Sequence, residues 1–108
     1  MSLWEDFIDK LQDPMGKLDK DQLKNLVNSA KTDSEEFIKM QGVKLEAYLN
    51  QLATGEITKD QFAGYILDIK ALTEMQALKM LVEAKARAQR LAKGITDLII
   101  DRLLSLLK

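Results

Sequence analysis

Apolar positions recur at helical spacing along nearly the whole chain, and the interruptions are few. From Asp19 to Ala53 the apolar side chains are Leu23, Val27, Ala30, Phe37, Leu45, Tyr48 and Leu52, with Ser34 and Gln41 filling two turns. That series keeps close to the 3.6-residue period throughout. A second series begins with Phe62, Ile66, Ile69 and Leu72. Between Leu72 and Val82 the residues Leu72, Met75, Leu78, Met80, Leu81 and Val82 spread around most of the helix. A helix apolar on so many sides is covered by more than one neighbour. A tighter stripe follows, through Ala84, Ala88, Leu91, Ile95, Leu98 or Ile99, and Leu106. Gly94 falls in phase with it and reads as an interior glycine.

The two long series meet at Leu52-Ala53-Thr54-Gly55-Glu56-Ile57-Thr58-Lys59-Asp60-Gln61-Phe62. Gly55 suits the left-handed position just past a helix end. Thr58 can cap the next helix, with Gln61 as its capping-box partner and Ile57 with Phe62 as a hydrophobic staple. Gly16 to Leu23 repeats the same grammar, with Asp19 as cap, Gln22 at N3, and Leu18 with Leu23 as staple. Two helices using one start signal explain this without a repeat. The stretch from Leu52 to Phe62 also resembles the turn of the short helical hairpins called SHOCT domains, which carry a leucine-rich helix, glycine, isoleucine-threonine and phenylalanine there. That resemblance covers a small part of the chain, rests on capping residues, and implies a helical hairpin.

Ahead of these series, Leu3, Trp4, Phe7, Ile8 and Leu11 share one face of a short helix, with Ser2 and Glu5 at capping-box spacing. Asp13-Pro14-Met15-Gly16 ends it, because proline lacks an amide donor and disfavours helix in the preceding residue. The pattern therefore predicts a short helix over 3–12, a hinge over 13–18, a long helix over 19–53, a bend over 54–58 and a long helix over 59–107. Thr32-Asp33-Ser34-Glu35-Glu36 also looks like a helix start, so a break near Asp33 is the alternative to the unbroken first arm. The expected fold is all-α: one helical domain, a long antiparallel hairpin with a short N-terminal helix. Asp19 would lie opposite Lys93.

Such a hairpin cannot cover its own apolar faces. A helix of about 35 residues is ~52 Å long, and two side by side leave the segment from Leu72 to Val82 exposed. Assembly into a symmetric oligomeric bundle, a homodimer or larger, is the expectation. The association surface would comprise Leu72, Met75, Leu78, Val82, Leu91, Ile95, Leu98, Ile99, Leu103 and Leu106. Trp4 and Phe7, on a hinged aromatic helix, form a second partner surface.

Composition narrows the chemistry. Sixteen basic and 17 acidic residues give a net charge of −1, so no global field draws the chain to nucleic acid or anionic lipid. There is no Cys and no His, which removes thiol and imidazole chemistry together with the usual zinc ligands. The acidic start of the chain lacks the basic region of a secretory signal, and a cytoplasmic location is expected. Both glycine turns fail as calcium loops: the twelfth positions would be Gln22 and Gln61, where a bidentate Glu is needed. Asp97 and Asp101 sit four apart without a third ligand. No cofactor, metal or catalytic activity is expected.

The leading expectation is a non-catalytic assembly or adaptor protein acting through self-association and contact with other helical proteins. The alternative is a peripheral membrane protein using Ile95 to Leu107, with Trp4. Trp4's own helix has a mainly acidic polar face, where membrane-surface helices carry Lys and Arg. A third reading, nucleic-acid binding, rests on Lys79, Lys85, Arg87, Arg90 and Lys93. That run lacks interleaved aromatics and reads more simply as a solvated helix face.

Overall fold

The turn at Gly55 forms as its residues dictate. Gly55 takes φ 81°, and the Glu56 amide donates back to the Gln51 carbonyl at 2.9 Å, which satisfies a carbonyl that the helix end leaves open. Thr58 then accepts the Gln61 amide at 3.1 Å while the Gln61 side chain accepts the Thr58 amide at 2.9 Å. This is the full capping box. Asp19 caps in the same manner, accepting the Gln22 amide at 3.0 Å.

The computed structural model describes residues 3–107, and all the regular structure among them is helical. Helix α1 spans Leu3–Lys10, α2 Lys20–Lys31, α3 Glu36–Thr54, α4 Lys59–Ala77 and α5 Val82–Gly94. The chain continues from α5 through a π-helical segment, Ile95–Leu103, into a last turn, Leu104–Leu106. Helix α3 packs against α1, α2 and α4, and α4 packs against α5 and the π segment. Ser2, expected to cap the first helix, lies outside the described residues.

The unbroken arms of the expected hairpin do not form. The first divides at Thr32 to Glu35 and the second at Leu78 to Leu81. At the first break Asp33 competes with the helix for backbone groups, because its carboxylate accepts the Glu35 amide at 2.8 Å. Helix α3 then turns back on α2 so closely that Gly42 meets the backbone of Ala30 and Lys31. The second break has no cap. Leu81 takes the extended conformation at the start of α5 without a side-chain hydrogen bond to it. The longest dimension of the molecule is 40 Å, too short for a ~52 Å arm. Its radius of gyration is 13.4 Å, close to the roughly 13 Å of a compact chain of about 100 residues.

Core side chains come from every helix. Trp4 and Ile8 of α1 meet Leu23 and Val27 of α2, Ile38, Leu45 and Leu49 of α3, and Phe62 and Ile66 of α4 in one buried cluster. Ile95, Ile99 and Leu103 of the π segment complete it. On α3 the buried row is Ile38, Gln41, Gly42, Leu45 and Leu49; Gln41 and Leu45 of the expected series lie in it, while Phe37, Tyr48 and Leu52 are half-buried beside it. Tyr48 lies at the edge of this row and stacks on Tyr65 of α4, ring centres 4.7 Å apart.

The Pro14 segment, expected to be a hinge, is fastened along its length. Asp13 accepts the amides of Lys17 and Leu18, and these bonds hold its carboxyl below the usual carboxylate range. Lys20 donates to the carbonyls of Asp9 and Leu11. Arg102, from the far end of the chain, donates to the Lys17 carbonyl at 2.6 Å.

Candidate interaction surface

The second break gives the molecule its most exposed apolar surface. Helix α4 buries Phe62, Ile66, Ile69, Thr73 and Ala77, which leaves Leu72, Met75 and Leu78 on its other sides. At the elbow the amides of Lys79 and Met80 still donate to the Gln76 and Ala77 carbonyls, and Lys85 donates to Leu81. These turn bonds carry the chain round the elbow, and no side chain caps the start of α5. Met75 is 61% exposed, Leu78 74%, Leu81 86% and Val82 83%, values that among the other large apolar side chains described only Met15, at 77%, matches. Leu72, at the edge of this stretch, is also exposed. Met15, Met40, Val43 and Leu67 are exposed too, but they are dispersed over a loop and two helices, as isolated surface apolar residues commonly are.

Charges ring the elbow in both signs. Glu74, Lys79 and Glu83 are exposed and Lys85 half-buried. Among the described residues none of the four forms an ion pair. Beside the elbow, Glu35 and Phe37 from the first break and Lys79, Met80 and Leu81 from the second line one depression. Both breaks therefore lie at the same end of the molecule.

The expected association residues divide into two sets. Leu72, Met75, Leu78 and Val82 are on the surface. Leu91, Ile95, Ile99 and Leu103 are buried within the chain, and Leu98 and Leu106 are half-buried against the same core. They cannot form an outward surface in this fold, because α2 and α4 of the same chain pack over them. Leu81, the most exposed of the elbow residues, was missing from the expected set. In an unbroken helix it was one apolar position among many, and no Gly, Pro or capping residue marks the turn that exposes it.

Trp4 and Phe7 are corrected in the same way. Trp4 is fully buried, its amide donating to Asn50 at 3.0 Å and its indole to Glu46 at 3.1 Å. Glu46 also pairs with Lys31, so α1, α2 and α3 share one polar junction. Phe7 is half-buried against the core. The aromatic face of α1 has found its partner within the chain.

The basic run is partly committed as well. Arg87 donates from Nε to Asp33 at 2.9 Å and from Nη2 at 3.3 Å. Burial pushes the Asp33 carboxyl up, but the Glu35 amide and the Arg87 guanidinium together hold it below the usual carboxylate range. Lys93 pairs with Asp97 at 3.5 Å. Lys79 and Arg90 are exposed. No helix among the described residues is long and apolar enough to cross a membrane. Comparison with protein-family models, curated proteins and solved structures found no match to this chain.

Proposed function

We propose that the protein is a non-catalytic helical assembly protein that self-associates through the elbow between α4 and α5. The observation that carries this reading is the outward display of Met75, Leu78, Leu81 and Val82. Contiguous exposed apolar surface rimmed by polar residues marks interaction sites on soluble proteins. A second copy of the chain fits the rim as well as the centre. A two-fold interface presents the same patch on both sides, so its charges must complement themselves. Glu74 and Glu83 against Lys79 and Lys85 supply both signs in equal number.

The test is absolute mass by light scattering on a sizing column, over a wide range of protein concentration. The wild-type protein should run as a dimer or larger species, and a Leu78→Glu, Leu81→Glu double variant as a monomer with unchanged helicity. Both side chains are exposed, so the substitutions leave the core intact. A wild-type protein that stays monomeric at high concentration overturns the proposal.

A further inference from the structure

Besides the elbow surface, an open cleft of about 430 Å³ runs between α2 and α5. That volume falls within the range of small-molecule sites. Leu26, Leu91 and Leu98 give it an apolar lining, and Gln22, Asn25 and Ser29 place a polar row along one side of α2. Among the described residues these polar side chains make no hydrogen bond. At the α5 side stand Arg87, held by Asp33, and Arg90, which forms no ion pair among the described residues. The lining thus carries one cation beyond its acids: Arg87 is balanced by Asp33, and Arg90 by no ion pair among the described residues.

From this juxtaposition we propose that the cleft binds a small amphipathic monoanion, a carboxylate with a hydrocarbon body. The hydrocarbon would lie on the three leucines, and the carboxylate would accept hydrogen bonds from the Arg90 guanidinium. Donors on Gln22, Asn25 and Ser29 can serve its remaining lone pairs. Arg87 is already positioned by its own ion pair and shapes the end of the cleft. Room for the body depends on Gly94. A Cβ there would lie 2.6 Å from Leu26 Cδ1, so any side chain at 94 displaces a leucine of the lining.

The experiment is backbone-amide NMR titration with sodium dodecanoate below its micelle concentration, with dodecanol as the uncharged probe. Dodecanoate should shift resonances of Leu26, Arg90, Leu91 and Leu98. Arg90→Glu should weaken binding roughly tenfold or more, as loss of a charge-assisted hydrogen bond does, and dodecanol should bind correspondingly less well. Arg90 is exposed and unpaired, so the variant should keep the wild-type fold. The Leu78→Glu, Leu81→Glu variant should bind as the wild type does, which separates this site from self-association. Equal binding of both probes, shifts confined to the elbow, or no shifts at millimolar dodecanoate would each overturn the assignment.

Discussion

The backbone of Lys31 occupies the space that a side chain on Gly42 would need. A Cβ there would also sit 2.6 Å from the Ala30 carbonyl carbon, and neither group is the movable end of a side chain. Gly64, on the exposed side of α4, has nothing within 4 Å of the same position. Alanine in a helix interior is favoured over glycine by about 1 kcal/mol, so the two sites should respond with opposite sign. Gly64→Ala is expected to stabilise by about 0.5–1 kcal/mol. Gly42→Ala should destabilise by about 3 kcal/mol, since overpacking against rigid backbone outweighs the propensity gain. Urea midpoints of the two variants decide the matter.

Asp33 ties the first break to α5 through Arg87, and its charge should show in the acid limb of stability. Its folded pKa is lowered, so between that value and the unfolded value of about 4 the unfolded chain binds more protons. The stabilisation is therefore present above about pH 4 and fades as pH falls through the lowered folded value. Asp33→Asn should cost about 1–2 kcal/mol at neutral pH and flatten the dependence of the melting temperature on pH below about 4. A variant whose acid limb matches the wild type would contradict the assigned role.

Trp4 is the chain's single tryptophan, which makes its burial directly observable. Native emission should be blue-shifted and should move red in the same transition that removes helicity. Trp4→Phe keeps most of the packing but loses the indole bond to Glu46, at a cost of about 1 kcal/mol. Trp4→Ala, which leaves a cavity, should cost about 3–5 kcal/mol.

Thr58 holds the start of α4, and Thr58→Ala should lower stability by about 1 kcal/mol. Thr58→Ser keeps the accepting oxygen and should lie near the wild type. Thermal unfolding followed by circular dichroism can rank the three proteins.

Local chemistry was legible where particular residues carry it. Thr58, Gln61 and Gly55 announce their turn, and Asp19 its cap, because capping needs specific atoms at fixed spacing. Gly94 was also legible as an interior glycine, since the chain stays helical through it with Leu26 against it. The break at Asp33 was visible as an alternative but masked by phase: the apolar period runs across it unchanged. Gly42 is the signal the periodicity does not weigh, a glycine where α3 closely approaches α2. The break at Leu78 to Leu81 left no local trace. It lies among good helix formers and comes from the tertiary packing of α5 against α4, which overrides propensity. That hidden break also divided the expected surface, leaving Met75 outside and turning Ile95 inward.

The hydrogen bond from Arg102 to the Lys17 carbonyl has a kinetic consequence. It spans 85 positions, whereas α2 with α3 and α4 with α5 are neighbours in sequence. Helical pairs of that kind close short loops and form early, and contacts between distant segments come after them. The clasp between the start and the far end of the chain should therefore close late and open first, without global unfolding. In hydrogen exchange, Arg102→Ala should speed exchange of the Leu18 amide while leaving that of Leu45, in the middle of α3, as slow as before.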